Sequence, residues 1–186
     1  LITTGEGGML ITKNKMFYDF INLIKNHGMS SNKRYWHEVV GTNARMTNIQ
    51  AAIGLGQLEN LKSVVEKKRA IHNLYFEKLS HLKDKLLVWH EYSNIYSSYW
   101  LNVITFKDKN NVSNLIKEAE KRNIDIRRSF YPMHSLPAFK NYRDLKFDYS
   151  NSLNIYDHLI CLPSGLNLTT EQINVVCNLI KDCIER

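Results

Sequence analysis

The amino-acid sequence predicts a protein of the α/β class, and three observations support that prediction. Residues 99–106 are rich in aromatic and β-branched side chains, as strands are. After Lys85 the pattern becomes strand, helix, strand, which is typical of a small α/β unit. Apolar residues recur at the i, i+3, i+4 and i+7 spacing of an amphipathic helix in Phe17, Phe20, Ile21 and Ile24.

The chain begins with apolar runs around a glycine-rich turn. Residues 1–4 and 9–12 predict two strands, with the tight turn of residues 4–8 between them. The sequence opens inside the first of these runs and has no initial methionine, so we expect a fragment. The amphipathic helix that follows is expected to end near Gly28, which suits a left-handed cap. Residues 29–42 then show no sustained period and predict a long loop, a kind of segment that is commonly functional.

A capping box marks the start of the next helix. Thr47 and Gln50 stand three residues apart, so the hydroxyl and the side-chain amide can each satisfy a backbone N–H at the helix start. Small side chains within residues 51–56 would let another backbone approach closely, for example between subunits. A second helical stretch is predicted over residues 64–82.

The change of pattern beyond that stretch indicates a domain boundary. We expect residues 1–84 to end one domain with a long connecting helix, and residues 85–186 to form a small α/β domain. The elements predicted in the second domain are a strand at 99–106, a helix at 112–119, a strand at 124–127, and helices at 150–158 and 171–184. Thr169 and Gln172 form a second capping box before the last helix.

Composition limits the classes of function. The 186 residues, 44% of them hydrophobic, suffice to bury a core. The formal net charge of +7 arises from charges of both signs scattered along helical faces. It indicates either an ordinary solvated surface or a field that attracts an anionic ligand such as a nucleotide or a phosphate. Nucleic acid is the weaker interpretation, and we expect no nucleic-acid partner.

The cysteines and the hydropathy give further expectations. Cys161, Cys177 and Cys183 show neither a disulfide framework nor the ligand spacing of a zinc site. They predict buried, reduced thiols in a cytoplasmic protein and no bound metal. No apolar run reaches the roughly 18 residues of a membrane span, and the N-terminus lacks a signal core, so we expect a soluble protein without a membrane partner.

Two segments carry chemistry suited to an anion. The glycine-rich residues 3–8 lack the spacings of a P-loop and of GxGxxG, so a simple turn in which Glu6 caps nearby amides is the alternative to a phosphate cradle. Residues 41–46 directly precede the second helix. The N–H groups at its start, the amide of Asn43 and the guanidinium of Arg45 together favour negative charge. Alternatively, Asn43 makes a turn and Arg45 pairs with a surface carboxylate.

A third segment, residues 127–134, follows a predicted strand. Strand ends commonly open onto ligand clefts, and an imidazole such as that of His134 titrates near neutral pH. His134 and His27 are therefore candidates for either a functional or a structural role.

Five short motifs stand in an order that carries more information than any one of them. They are TTGEGGM at residues 3–9, NHGM at residues 26–29, GTNARMTNIQAA at residues 41–52, YPMHSLP at residues 131–137 and LP at residues 162–163. In this order, over nearly the whole chain, they resemble the DegT/DnrJ/StrS family of sugar-nucleotide aminotransferases.

The resemblance implies the C-terminal part of a fold type I transferase that depends on pyridoxal 5'-phosphate (PLP). That part comprises the end of the large domain and a small α/β C-terminal domain. In the family, the lysine that carries the cofactor precedes the first motif in the order N-K-x-I-T-T-G-E-G-G. Leu1 takes the position x, so the lysine is expected immediately before Leu1 and the fragment is expected to be inactive alone.

The resemblance also implies a homodimer in which each site is completed by the partner subunit. Asn43 is similar to the asparagine that reaches the PLP phosphate of the neighbour. Ala44 departs from the aromatic residue of many members, which concerns packing near the phosphate. For the sugar or its diphosphate, the implied binding residues are His27, Arg45, Tyr131 and His134.

The implied reaction moves an amino group from glutamate to a nucleotide-linked keto-deoxy sugar. A 4-keto-6-deoxyhexose is favoured, for a surface polysaccharide such as lipopolysaccharide O-antigen. Two alternatives stay open: the 3-dehydratase branch of the same family, in which a histidine replaces the lysine, and a catalytically inactive regulatory or interaction domain. The residue before Leu1 distinguishes the transferase from the dehydratase.

Overall fold

A computed structural model describes residues 1–144 and 146–185 of the chain. The chain divides into two compact units, Leu1–Lys62 and Ser63–Arg186. This division lies before the boundary near residue 84 that the sequence suggested, because a long helix packs mainly with the second unit. The split into domains at residue 84 stays a prediction about the whole protein.

The first unit contains the two predicted helices, and the second of them begins at the predicted capping box. Helix α1 spans Lys15–Lys25, and its N-cap residue Asn14 accepts a hydrogen bond from the backbone N–H of Phe17 at 3.2 Å. Helix α2 spans Asn48–Glu59, and both hydrogen bonds of the predicted capping box are present. The cap therefore places the start of α2 directly after residues 41–46.

The two strands predicted at residues 1–4 and 9–12 are wrong for this unit, since neither run is a strand in the described chain. An apolar, β-branched run forms a strand only when a neighbouring strand accepts its ladder hydrogen bonds. Here residues 3–8 are instead held against α2 by side chains. Gln57 bonds the backbone N–H and C=O of Thr3, and Gln50 donates to the carbonyl of Glu6 at 2.9 Å.

The second unit is built on an antiparallel sheet with helices. Its strands are β1 (Leu86–Val88), β2 (Asn102–Phe106), β3 (Arg127–Arg128) and β4 (Leu159–Leu162), in the order β1-β2-β4-β3. Its helices are α3 (Leu61–Leu79), α4 (Asn110–Lys121), α5 (Ser150–His158) and α6 (Thr170–Glu185). In the pairing of β2 with β4, Val103 lies opposite Cys161 and Asn102 lies opposite Leu162. Because side chains alternate between the two faces of a sheet, Asn102 and Leu162 share the face opposite to that of Val103 and Cys161.

Alternate residues of β2 are buried at Asn102, Ile104 and Phe106. Ile104 and Phe106 pack with side chains of α3, α4 and α6 in the hydrophobic core of this unit. Leu115 and Leu179 in that core are fully buried. The predicted α/β character is confirmed, and the sheet is antiparallel.

Several boundaries differ from the sequence prediction. The strand predicted at residues 99–106 begins only at Asn102, because Tyr99 has a left-handed φ of 43°. The strand predicted at 124–127 is reduced to Arg127–Arg128. Strand β4 was not predicted, since a run of four apolar residues after a helix has no period that separates strand from helix.

The helices of the tail and the cysteines agree with the sequence. Helix α5 has the predicted bounds, and the capping box of α6 is formed by Thr169 and Gln172. Cys161, Cys177 and Cys183 are buried, and none of them forms a disulfide bond with a described residue. In the described part of the chain, no helix combines the length and the apolar character needed to cross a membrane.

Candidate functional site

Asn43 lies on a segment that is hydrogen-bonded to the end of α1. It pairs with Asn26 in an isolated antiparallel bridge. On one side of Asn43, the carbonyl of Thr42 accepts from the backbone N–H of His27 at 2.9 Å, and on the other the N–H of Ala44 donates to the carbonyl of Lys25 at 3.0 Å. The main chain of Asn43 is therefore fixed on both sides.

The side chains of Asn43 and Arg45 contact each other. The amide oxygen of Asn43 accepts from Nε of Arg45 at 3.2 Å and from its backbone N–H at 3.4 Å. Both residues are exposed, and among the described residues Nδ2 of Asn43 has no partner. Arg45 forms no ion pair in the described chain, so the alternative of a pairing with a surface carboxylate is not realised there.

This arrangement suits an anion. With its oxygen occupied by Arg45, the amide of Asn43 presents N–H donors, and the guanidinium adds a positive charge beside them. Such donors form the strong, charge-assisted hydrogen bonds that phosphate oxygens accept. The sequence predicted these two residues together, and the structure brings them together.

His27 contributes to this region mainly through its backbone. Its φ is 61°, in the left-handed region, and Gly28 follows with a φ of 65°. The carbonyl of His27 accepts from Nδ1 of His37 at 2.8 Å. The exposed imidazole of His27 makes no hydrogen bond to any described residue.

His134 lines a cavity of about 580 Å³ in the second unit, and Tyr131 contacts Tyr156 of the same cavity. The ring of His134 stacks on Tyr149, with 4.2 Å between the ring centroids, and the ring of Tyr131 lies 4.7 Å from that of Tyr156. The Nε2 atom of His134 is buried and has no hydrogen-bond partner among the described residues. Buried polar atoms are normally hydrogen-bonded, so this nitrogen suits a hydrogen bond to a group other than the described residues.

Three further residues of this cavity were missed by the sequence analysis. Arg143 lies over the ring of Tyr149, with its guanidinium carbon 5.6 Å from the ring centroid, and Tyr156 lines the opposite part. Burial, and after it the neighbouring hydroxyl of Tyr131, raises the pKa of Tyr156. Arg143 lies in the segment before α5, Tyr149 is the N-cap residue of α5 and Tyr156 lies within it, and no sequence motif marks any of the three.

A buried polar network, which was not predicted from the sequence, links α3 to β2. The hydroxyl of Ser164 donates to the carbonyl of Leu162 at 3.0 Å, so its oxygen accepts from the backbone N–H and from Nδ2 of Asn102. The amide oxygen of Asn102 is then left to accept from Nδ1 of His72 at 3.1 Å. Nε2 of His72 lies 3.1 Å from Nδ1 of His90. The network assigns the proton of a neutral His72 to Nδ1.

Beside this network an ion pair fixes the segment that leads into β2. Arg69 bonds both carboxylate oxygens of Glu91 and donates to the carbonyl of Ser97 at 2.6 Å. The hydrogen bond from Arg69, with a further one from the backbone N–H of Ser97, lowers the pKa of Glu91 to about 2. The aromatic ring of Tyr96 covers the guanidinium at 4.1 Å. This cluster holds the segment between β1 and β2 in place.

No group of three or more histidine, cysteine or acidic side chains in the described residues could hold a metal ion.

The candidate site residues fall into two sets, one in each unit. Asn43 and Arg45 form a hydrogen-bonded pair in the first unit, while His134 lines the cavity of the second unit and Tyr131 packs against Tyr156 of the same cavity.

Comparisons with known proteins agree on one family. The model of the DegT/DnrJ/EryC1/StrS aminotransferase family matches residues 1–181. The chain is 37% identical over 185 residues to the GDP-perosamine synthase of Vibrio cholerae, and 34% identical over 181 residues to that of Escherichia coli O157:H7. Each alignment covers 97% of this chain, and 49% and 48% of the two relatives. The chain thus spans about half the length of the curated relatives it matches.

A solved structure shows the same fold. The aminotransferase TlmJ from Streptoalloteichus hindustanus superposes with a TM-score of 0.87 at 20% identity, over 98% of this chain and 48% of that one. At this level of identity the likeness concerns the fold alone.

Proposed function

We propose that this chain, which belongs to the DegT/DnrJ/EryC1/StrS aminotransferase family, is the C-terminal part of an enzyme that moves an amino group from glutamate to a nucleotide-linked 4-keto-6-deoxyhexose. The observation that carries the proposal is the pair formed by Asn43 and Arg45, in a segment whose motif matches the family. Its exposed amide and guanidinium donors suit the phosphate of PLP.

The nucleotide we propose is GDP. The relatives from Vibrio cholerae and Escherichia coli are named GDP-perosamine synthase, and a third so named, from Caulobacter vibrioides, is 33% identical over 172 residues. A more distant relative, at 24% identity, is named for a dTDP-linked sugar. The higher identity therefore favours a GDP-linked substrate, and a surface polysaccharide as the destination of the product.

The residues of this chain would bind and orient. Asn43 donates from its amide to the PLP phosphate in the site of the partner subunit, while Arg45 holds that amide by its oxygen and adds positive charge. Tyr131 and His134 border the sugar or its diphosphate, and the buried Nε2 of His134 becomes paired when the substrate is bound. PLP itself, when bound, supplies the electron sink for the exchange of the amino group.

We place the lysine that carries the cofactor immediately before Leu1, by the match of residues 3–9 to the family motif. On this basis the chain by itself transfers no amino groups. A homodimer of the whole protein is required, because Asn43 acts in the site of the neighbour.

The surface of the first unit supports a larger assembly. Met9, Ile11 and Met16 are 83%, 87% and 83% exposed, and Phe17 and Phe20 are about half exposed. Globular proteins rarely leave so many large apolar side chains in contact with water on one small unit. Because the relatives are about twice as long as this chain, we propose that the remainder of the large domain covers these side chains.

The test is amino transfer by the whole protein that contains this chain. The purified enzyme is given PLP, glutamate and, in parallel, GDP-, dTDP- and UDP-linked 4-keto-6-deoxyhexoses. We expect an amino sugar from the GDP substrate, with one 2-oxoglutarate formed for each. A sugar product that has lost a hydroxyl group and carries no amino group would instead identify the dehydratase branch, and absence of any reaction with all three substrates would contradict an enzymatic role.

A further inference from the structure

The segment that carries Asn43 crosses the end of α1 at two glycines, Gly28 and Gly41. Gly28 is buried and has a φ of 65°, a conformation that side chains with a Cβ rarely adopt. A Cβ built on Gly28 would lie 2.8 Å from the carbonyl carbon of Val39. A Cβ on Gly41 would lie 2.6 Å from the carbonyl oxygen of Ile24. The two backbones therefore approach so closely that neither position can hold a larger residue without a shift.

Hydrogen bonds bind the two backbones where they cross. The backbone N–H of Thr42 donates to the carbonyl of Ile24 at 2.9 Å, and that of His27 donates to the carbonyl of Thr42 at 2.9 Å. A third bond, from Ala44 to Lys25 at 3.0 Å, lies beyond Asn43. The second bond is made by Thr42 and the third by Ala44, so Asn43 is held between them.

We propose that Gly28 and Gly41 are positioning residues for Asn43, which set the place of its amide by allowing the two backbones to cross in contact. The proposal rests on the proposed role of Asn43 in binding the PLP phosphate. Neither glycine touches the phosphate. Each acts through the main chain: a Cβ at the crossing pushes residues 41–44 away from α1 and moves the amide donors out of reach.

The test is PLP affinity of the whole dimeric protein, measured by titration of the cofactor absorbance in wild type, Gly41→Ala, Asn43→Ala and the double variant. We expect Gly41→Ala to weaken PLP binding by about tenfold, the cost of one charge-assisted hydrogen bond. In the Asn43→Ala background, Gly41→Ala should weaken PLP binding by less than a further factor of about two, because the amide that it displaces is already missing.

A matched control is Gly165→Ala. Gly165 has no positive φ, and a Cβ there meets nothing within 4 Å. We expect its PLP affinity to equal that of wild type. Dimer size and circular dichroism are recorded for each variant, so that a loss of fold is recognised.

If Gly41→Ala does not fold, Ala44→Pro takes its place in the same cycle. It removes the hydrogen bond from the N–H of Ala44 to Lys25 and adds no atom at the crossing of the glycines. Two results would overturn the proposal. One is that the substitution weakens PLP binding equally with and without Asn43, and the other is that the folded variant binds PLP with wild-type affinity. If wild type itself binds PLP and Asn43→Ala binds it equally well, the proposed function of Asn43 fails instead.

Discussion

The Nε atom of Arg45 donates a hydrogen bond to the amide oxygen of Asn43 across 3.2 Å. This bond decides which end of the amide faces outward, because an oxygen that accepts from a guanidinium leaves the N–H donors of the amide for another group. A residue that was expected from the sequence to bind sugar or diphosphate thus also orients the residue expected to bind PLP phosphate.

The first prediction concerns this bond. Replacement of Arg45 by methionine keeps most of the side-chain volume and removes the donor and the charge. We expect PLP affinity of the whole protein to fall by about fivefold, which corresponds to about 1 kcal/mol for a hydrogen bond of a charged group at an exposed position. The affinity is measured by absorbance titration of the cofactor.

Lys13→Met is the control for the loss of one positive charge in the same unit. Lys13 is exposed and precedes α1. If both variants lose affinity equally, Arg45 acts only through the overall field and its bond to Asn43 has no separate role.

A second prediction follows from the low pKa of Glu91. A carboxyl whose pKa is about 2 in the folded state and about 4.5 in the unfolded state stabilises the fold fully above pH 4.5. That contribution is lost as the pH falls from about 4.5 towards 2. We therefore expect Glu91→Gln to lower the urea midpoint of unfolding at pH 7, and the difference from wild type to shrink at pH 3.

The comparison is made with Asp182→Asn. Asp182 forms an exposed ion pair with Arg122 at 3.6 Å, a kind of pair that contributes little to stability. Its urea midpoint should stay close to that of wild type at both pH values. If Glu91→Gln lowers the urea midpoint by the same amount at pH 3 as at pH 7, the ion pair with Arg69 is not the origin of that decrease.

The third prediction concerns the protonation of His72. Burial lowers the pKa of its imidazole below the ordinary value of 6.5, in spite of the opposing hydrogen bond to Asn102. Since the unfolded chain binds the proton more readily, this group stabilises the fold above pH 6.5, and that stability falls as the pH drops below 6.5. Nitrogen NMR of the ring should show the tautomer with the proton on Nδ1 at pH 7.5.

The same spectra should give a titration midpoint for His72 below 6.5. A proton on Nε2 at pH 7.5 would contradict the network, since Nδ1 would then have no hydrogen for the amide oxygen of Asn102. The variant Asn102→Asp is a useful comparison, because a carboxylate in that place should raise the midpoint.

The sequence predicted what depends on neighbours along the chain. Thr47 with Gln50 and Thr169 with Gln172 were found because a capping box is complete within four residues. The pair of Asn43 and Arg45 could be found for the same reason.

Features that depend on the path of the whole chain were not predicted. Strand β4 has no period of its own and exists because β2 and β3 lie on either side of it. The ring that stacks on His134 is that of Tyr149, the N-cap residue of α5, and the close approach of Gly28 to Gly41 depends on the course of the loop between them. Nothing within a short window of sequence specifies such contacts.

A fourth prediction concerns the buried thiols. Burial raises the pKa of Cys177 to about 11, so at pH 8 only about a thousandth of this thiol is ionised. We expect Cys177 to remain unmodified by iodoacetamide in the native protein and to react quickly in urea. Mass spectrometry of the peptide that contains it gives the readout, and equal rates with and without urea would contradict its placement in the core.

Asn43 is proposed to complete the site of a neighbouring subunit, and mixing of two variant subunits tests this role. One variant of the whole protein carries Asn43→Ala. A second carries alanine in place of the lysine that holds the cofactor. Each alone is expected to form dimers with little activity.

When the two variants are unfolded together and refolded, half of the dimers are expected to be mixed. A mixed dimer then has one intact site, formed by the lysine of one subunit and Asn43 of the other. We expect the amino-transfer activity of the mixture to rise to about a quarter of wild type, since one site in two is intact in half of the dimers. Activity no higher than that of the two variants kept apart would contradict it, because Asn43 would then serve the site of its own subunit.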